Sequence, residues 1–386
     1  MAFWNTKKSR LKGLGLGADI AGEILDRTNE EMAQMTPMNI LLVGKTGVGK
    51  STLINAVFRK ELARTGIGAP VTEHIERITR EGVPLVLYDT KGLELSEASQ
   101  KAVQQEIRSL LYSSDSEGAK EPLHCVWFCI QAGSHRLEET ERIWIQSLAR
   151  RLPVLVVLTQ AIDIQGAKAL ADYVKKQRLG IVDCIPVVAS AYDIGPYTLR
   201  SYGLKELVGK TQEAIPEEAQ GAFLNAQQVD IERKAQMAMR WARRFVTETF
   251  LVGFVPIPFA DAPIIAASQV AMMAKITSIF GISYDRAMIA SLVGAIAGVG
   301  GAVVSGRSLV ANLLKLVPGA GVLATGAISG TAAAGITWTL ATVYVKAMKE
   351  VCRREYRGEE MLPDEIRYLV ERELKEVLDR GRSKKR

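Results

Sequence analysis

A glycine-rich turn at residues 44–51 constrains the fold of this chain more than any other feature. The segment "LLVGKTGVGKS" fits the pattern G-x-x-x-x-G-K-[ST], with an apolar strand predicted before it and a helix predicted after it. Its glycines permit backbone dihedrals that turn successive N–H groups toward phosphate oxygens, and the following helix adds its dipole. The turn predicts a nucleoside triphosphate site; the alternative is a glycine-rich turn with no chemical role.

Two side chains of this turn have specific predicted roles. Lys50 is predicted to reach the β- and γ-phosphates, and Ser51 is predicted to ligate Mg2+. The full set of predicted nucleotide contacts in the segment is Gly44, Lys45, Thr46, Gly47, Val48, Gly49, Lys50, Ser51 and Thr52.

A second segment, "VPLVLYDTKGLE", is predicted to bind the metal from the side opposite the glycine-rich turn. It is a predicted strand that ends in Asp89, followed closely by Gly92. Asp89 stands where a carboxylate can reach the Mg2+ shell, and the Gly92 amide can sense the γ-phosphate. A D-x-x-G pattern is common by chance, but its position after a strand and some forty residues beyond the turn favours this function.

Apolar strands alternate with helical segments through residues 37–215, which predicts an α/β domain with a mostly parallel sheet. From about residue 222 strand patterns stop and helical segments continue. The predicted organisation is an N-terminal helical segment at 1–36, a nucleotide domain at 37–215 and an α-helical domain at 222–386. The predicted strands are 39–43, 74–79, 84–89, 124–131, 154–159 and 185–189, and the helices between them are 50–60, 97–112, 138–151, 166–178 and 203–214.

The order "GKTGVGKSTLINAVF", "APVTE", "YDTKGLE", "VVASA" resembles the translation-factor-related GTPases, in particular their Era-like and septin-like branch, over roughly residues 37–200. The resemblance implies GTP as substrate, GDP as product and Mg2+ as cofactor. It implies that Thr72 closes onto Mg2+ and the γ-phosphate, and that Ser190 and Ala191 lie beside the base. The implied catalytic residues are Lys50, Thr72 and Gly92, and the implied metal ligands are Ser51, Thr72 and Asp89.

The base-reading motif departs from the family pattern Asn/Thr-Lys-x-Asp. Here the segment is "LTQAID", in which Thr159 is followed by Gln160 in place of lysine, and Asp163 comes one position late. Either the loop is one residue longer and Asp163 still reads guanine, or the base is read less strictly. Guanine remains the prediction, because nothing specific for adenine replaces the motif.

A second departure concerns hydrolysis. Some relatives orient the attacking water with a glutamine just after the D-x-x-G glycine, and this chain has Leu93 there. A leucine cannot polarise water, so slow hydrolysis by the monomer is expected, with the missing group supplied by a second G domain in a homo-oligomer. The rival interpretation is a scaffold protein that binds nucleotide and hardly turns it over.

The C-terminal region contains two uncharged stretches, 287–306 and 316–345. They are long enough to cross a bilayer twice, but their many small residues equally suit a helical hairpin packed inside a soluble bundle. The segment "GFVPIPFADAPIIAASQVAMM" is similar to a helical domain of uncharacterised function found after bacterial GTPase domains and in inner-membrane proteins. Membrane association is the favoured expectation.

Composition bears on the expected partners, on a possible zinc site and on the location of the protein. The net charge is +7, and the basic residues at both ends do not alternate with aromatics, so no nucleic-acid partner is expected and a ribosome-assembly GTPase is the weaker alternative. Four cysteines form no C-x-x-C pair, which predicts reduced core thiols rather than a zinc site. No apolar core follows the N-terminal lysines, so a location on the cytoplasmic side is expected.

Overall fold

The computed structural model describes residues 15–58, 67–70, 75–90, 97–114, 122–252, 261–281, 286–298, 330–359 and 361–383. The chain divides into two compact units. The sheet unit is Ala33–Asp230, and the helical unit combines the residues up to Met32 with those from Ile231 onward.

Seven strands form one sheet in the sheet unit, in the order β2-β3-β4-β1-β5-β6-β7. Strand β1 pairs in parallel with β4 and β5, and β5–β6 and β6–β7 are also parallel, whereas β2–β3 and β3–β4 are antiparallel. The predicted mostly parallel α/β fold is therefore confirmed. The strands are β1 Met38–Val43, β2 Ile67–Pro70, β3 Ile75–Thr79, β4 Leu85–Thr90, β5 Cys125–Gln131, β6 Val154–Thr159 and β7 Asp183–Pro186, and a separate hairpin is formed by β8 Tyr192–Ile194 and β9 Tyr197–Leu199.

The described residues also form the α-helices that flank the sheet and build the helical unit. They are α1 Gly15–Ala33, α2 Lys50–Val57, α3 Glu97–Ser114, α4 Glu139–Ala149, α5 Ile164–Lys176, α6 Leu204–Ala214, α7 Glu217–Ala226, α8 Ile231–Val252, α9 Asp261–Phe280, α10 Arg286–Gly298, α11 Gly330–Arg357 and α12 Pro363–Ser383.

The central strands are almost continuously apolar because both faces of the sheet are covered. Side chains alternate across the sheet, so Leu42 and Trp127 belong to the core on one face, while Leu41 and Val126 belong to the core on the other. This arrangement brings the carboxyl ends of β1, β4, β5 and β6 to one edge of the sheet, where a ligand site of a parallel sheet forms.

The sheet unit extends beyond the predicted end at residue 215, because α7 contributes to its core. Phe223 is fully buried and meets the ring of Phe58 edge-on at a centroid distance of 6.1 Å, and Phe58 in turn stacks on Trp127 at 5.6 Å. Ala219 and Ala222 of α7 are buried in the same core. Their small side chains gave the segment little apolar pattern in the sequence.

The N-terminal helix α1, which lies in the predicted helical segment 1–36, packs in the helical unit. Its Thr28 hydroxyl donates to the Ala274 carbonyl of α9 at 3.3 Å, and its Glu31 carboxylate accepts a 2.5 Å hydrogen bond from Lys275. Helices α8, α9 and α11 pack against one another, and the hydroxyls of Thr277 and Tyr344 join α9 to α11 at 2.8 Å.

The two uncharged stretches are described in part. Helix α10 begins one residue before the first stretch and covers it as far as Gly298, and residues 299–329 lie outside the described residues. Among the helices that are described, none combines the length and the apolar character needed to cross a bilayer. The last helix, α12, is amphipathic, with Ile366, Leu369, Val370 and Leu374 buried.

Candidate nucleotide-binding site

The turn between β1 and α2 has the backbone geometry of a phosphate cradle. Gly44, Gly47 and Gly49 have φ values of 157°, 75° and 104°, which side chains other than glycine rarely tolerate. Gly44 also has no room for a side chain, because a Cβ there would lie 2.7 Å from the Cys129 carbonyl oxygen. The sequence prediction that these glycines shape the turn agrees with these dihedrals.

Lys50 is buried at the centre of this turn. Its side-chain Nζ donates to the Gly44 carbonyl at 2.8 Å and to the Lys45 carbonyl at 3.3 Å, and it lies 3.7 Å from Asp89 Oδ1. Only 8% of the residue is exposed. A buried ammonium ringed by main-chain groups is suited to neutralising phosphate charge, because the site around it is already desolvated.

Asp89 and Ser51 are placed to serve as oxygen ligands for Mg2+. Asp89 lies one residue before the end of β4, the parallel strand next to β1, and Ser51 follows Lys50 in the first turn of α2 with its side chain exposed. Hydroxyl and carboxylate oxygens are ligands that Mg2+ prefers, and Mg2+ is usually held by one or two protein groups together with substrate phosphates. The described residues contain no cluster of three or more His, Cys, Asp or Glu side chains that could hold a metal ion.

Cys129 of β5 lies directly against the turn, a placement that the sequence did not predict. Its thiol is buried, and burial raises its pKa to about 12, while the nearby Lys50 ammonium acts in the opposite direction. The thiol is therefore protonated at neutral pH and acts as a small apolar support for the turn. All four cysteines are free and buried, so the predicted reduced core thiols are confirmed.

Lys45 is tied to the start of α4. Its Nζ donates to Glu138 Oε1 at 2.7 Å. Glu138 is the N-cap of α4 in a capping box, in which its backbone N–H donates to Glu141 at 3.0 Å. Burial raises the pKa of Glu141. Lys45, a predicted nucleotide contact, is thus bonded to Glu138, which is 93 residues away in sequence. This bond ties the turn to the start of α4.

The end of β6 is bonded to the same turn. The Thr159 hydroxyl donates to the Val48 carbonyl at 2.5 Å, and the Gln160 amide donates to the Gly47 carbonyl at 3.2 Å. Gln160 has a φ of 51°, in the left-handed region that is uncommon for residues with a side chain. The structure therefore brings these two predicted base-side residues into contact with the phosphate turn.

Asp163 caps α5, since its Oδ1 accepts the Gly166 N–H at 3.1 Å. The family pattern would put the aspartate at position 162. In this chain the aspartate stands one position later, where it begins α5 after the loop. The loop itself is fixed at Ala161, whose N–H donates to the Val187 carbonyl at 3.2 Å and whose carbonyl accepts the Tyr202 hydroxyl at 2.5 Å. Asp163 remains exposed, so its predicted contact with a base stays a prediction.

Ser190 and Ala191 are exposed and lie between the Val188–Tyr202 bridge and β8, beside the loop that Ala161 anchors. Three other predicted positions, Thr72, Gly92 and Leu93, lie outside the described residues. Their assigned roles stay predictions.

The comparisons with known proteins concern this half of the chain. Residues 39–160 match the family described as 50S ribosome-binding GTPase. This segment is a P-loop GTPase domain. The translation-factor-related class predicted from the motifs is therefore confirmed for the GTPase domain.

The relatives match the GTPase domain over part of their length. The chain is 29% identical over 142 residues to tRNA modification GTPase MnmE of Neisseria meningitidis, covering 34% of this chain and 31% of MnmE. It is 27% identical over 154 residues to GTPase Era of Histophilus somni, covering 39% and 49%. It is 24% identical over 180 residues to neuronal-specific septin-3 of Danio rerio, covering 39% and 50%. The chain thus spans 31% to 50% of the length of these relatives.

Two solved structures are similar to this chain, at lower sequence identity than the relatives above. A crystal structure of Era in complex with MgGDPNP and nucleotides 1506–1542 of 16S ribosomal RNA is 21% identical with a TM-score of 0.32, covering 48% of this chain and 58% of that one. The FeoB G-domain from Methanococcus jannaschii is 20% identical with a TM-score of 0.27, covering 47% and 98%.

Proposed function

We propose that this protein binds GTP together with Mg2+, hydrolyses it slowly to GDP, and uses the cycle as a switch. The observation that carries the proposal is the buried Lys50 ammonium, which lies between two main-chain carbonyls of the glycine turn and the Asp89 carboxylate. A cation, a metal-binding carboxylate and a backbone cradle converge there, and phosphoryl transfer depends on such positioning and charge neutralisation.

Each side chain has a defined task in this cycle. Lys50 would move from the Gly44 carbonyl onto the β- and γ-phosphate oxygens, while Ser51 and Asp89 hold Mg2+, which when bound neutralises charge on the same phosphates. Thr159 and Gln160 keep the turn in place through the Val48 and Gly47 carbonyls. Thr72 and Gly92 would close on the γ-phosphate, and Asp163 would read guanine beside Ser190 and Ala191.

Self-association through the GTPase domains would complete the hydrolytic site. Leu93 offers the attacking water no polar group, so the missing group would come from a second copy when the domains pair. We further propose that the protein acts on the cytoplasmic side of a membrane, which would concentrate it and favour pairing. The uncharged stretches and the basic residues of the sequence support this location.

Phosphate release measured against protein concentration tests the proposal. We expect GTP turnover per molecule to rise with concentration, and to fall about a hundredfold in Lys50→Ala, because a donor to the transferring phosphate is removed. Lys210→Ala, which alters an exposed ion pair with Glu213, is the matched control and should behave as wild type. A rate per molecule that stays flat, with GTP still bound, would favour the scaffold interpretation.

A second candidate is a ribosome-assembly GTPase. It is favoured by the family description, which refers to binding of the 50S subunit, and by the similarity to GTPase Era. Sedimentation of the protein with 30S and 50S subunits in the presence of a non-hydrolysable GTP analogue separates the two candidates. Nucleotide-dependent co-sedimentation with either subunit would support this candidate over the membrane switch.

A further inference from the structure

Helix α8 of the helical unit carries a row of three arginines. Arg240, Arg243 and Arg244 are all exposed, and their spacing of three and four residues places them on one side of the helix. The described part of the chain supplies no ion-pair partner for their guanidinium groups. Three neighbouring positive charges repel one another and slightly destabilise the helix.

Several described cations elsewhere in the same unit pair with carboxylates. Glu232, in the first turn of α8, pairs with both Lys349 at 2.6 Å and Arg353 at 2.7 Å, and these contacts lower its pKa. Lys346 pairs likewise with Glu373. Packing of the unit thus neutralises the cations near the start of α8 and leaves the arginines further along it exposed, so the row is available to an external anion.

Two aromatic residues border the arginine row. Trp241 and Phe245 are four residues apart and stack at a centroid distance of 5.1 Å with an interplanar angle of 28°. Both are partly buried, as is Met237 one turn before Trp241. The helix therefore presents cations on its outer side and an aromatic edge beside them, the arrangement of helices that lie at the headgroup layer of a membrane.

We propose that α8 docks on an anionic lipid surface through Arg240, Arg243 and Arg244, with the edges of Trp241 and Phe245 entering the headgroup layer. The proposal rests on the membrane role proposed above and not on nucleotide turnover. A lipid surface fits better than RNA, because the two rings stack on each other and are partly covered by protein, which leaves little ring face for bases.

The three arginine charges determine how strongly the protein is expected to partition onto anionic vesicles. A basic residue near an anionic leaflet contributes about 1 kcal/mol, so three together correspond to about a hundredfold in partitioning. The attraction should weaken when salt is raised from 0.1 M to 1 M, because the screening length falls from about 10 Å to about 3 Å.

The test is flotation of the full-length protein with vesicles of phosphatidylcholine alone and of phosphatidylcholine with 30% phosphatidylglycerol. The test variant is R240Q/R243Q/R244Q, and the control K168Q/K176Q/R200Q removes three exposed charges from the sheet unit. We expect wild type and control to float with the anionic vesicles and the test variant to lose about a hundredfold in partitioning. Circular dichroism and GTP binding should be unchanged in all three.

Equal flotation of wild type and the test variant would overturn the proposal, and so would wild type that ignores the anionic lipid. Tighter binding of poly(U) RNA than of vesicles through the same arginines would overturn it in favour of a nucleic acid. Loss of GTP binding by wild type itself would instead overturn the proposed function and leave the vesicle result intact.

Discussion

The glycine turn of the sheet unit and one part of the helical unit's core differ in how their buried polar side chains are used. Around the glycine turn, Lys50 and Thr159 are buried and donate to main-chain carbonyls of the turn. In the helical unit, Gln269 and Thr337 are also buried, yet neither side chain has a hydrogen-bond partner within the described structure. The buried polar groups around the turn are hydrogen-bonded within a ligand site, whereas Gln269 and Thr337 leave hydrogen-bonding capacity unsatisfied.

The two units also differ in what their sequences indicate. A ligand site needs particular residue types at fixed spacing, and these leave a motif. A helical bundle needs an apolar face, which many sequences satisfy, so composition indicates the helices without indicating a function.

The largest effect on stability is expected from a substitution that disturbs the backbone of the glycine turn. Gly44→Ala would place a Cβ 2.7 Å from the Cys129 carbonyl at a φ of 157°, so we expect the free energy of unfolding to fall by about 3 kcal/mol, combining overpacking with backbone strain. GTP affinity should fall with it. The control is Gly47→Ala, where no atom lies within 4 Å of the new Cβ and strain at a φ of 75° should cost about 1 kcal/mol.

Denaturant unfolding followed by fluorescence measures both variants. Equal losses for the two substitutions would contradict the close packing of Gly44 against β5.

A pair of isosteric substitutions sharpens the contrast inside the helical unit. Thr337→Val removes a buried hydroxyl that lacks a partner, so we expect a gain in stability of about 1 kcal/mol. Thr277→Val removes the bond to the Tyr344 hydroxyl and leaves that phenol buried, so we expect a loss of about 1 kcal/mol or more. Thermal unfolding of the two variants should shift in opposite directions, and shifts of the same sign would show that polar burial in this unit is misassigned.

The smallest expected change in stability comes from Asp163→Asn, because asparagine caps a helix about as well as aspartate does. Unfolding should change by less than about 0.5 kcal/mol. If the carboxylate also reads guanine, the variant should prefer xanthosine over guanosine triphosphate, which competition binding measures. Unchanged preference would assign Asp163 to the cap at Gly166 alone.

Much of the sheet could be predicted, because strands covered on both faces are continuous apolar runs, as in "CVWFCIQ" and "VLVVLT". Strand β2 was missed since "IGAP" contains glycine and proline and lies at the sheet edge, where neither is excluded. The hairpin Tyr192–Leu199 was missed because each of its strands has three residues.

The candidate site was predictable where one residue type is required, and not where a contact depends on tertiary placement. Lys50 follows from the turn motif itself. The bond from Gln160 to Gly47 depends on a left-handed backbone at Gln160, and the pair Lys45–Glu138 joins residues 93 positions apart. No local pattern in one sequence indicates such pairs.

Equilibrium titration of the full-length protein with GTP, with and without Mg2+, tests the central claim most directly. We predict binding of one GTP per chain that weakens when Mg2+ is chelated, a preference for GTP over ATP, and a loss of about a hundredfold in affinity in Lys50→Ala, because charge-assisted bonds to phosphate contribute about 1.5–3 kcal/mol each. Wild type that binds no GTP, or that binds it no more tightly than Lys50→Ala does, would contradict the assignment of the turn at residues 44–51 as the nucleotide site.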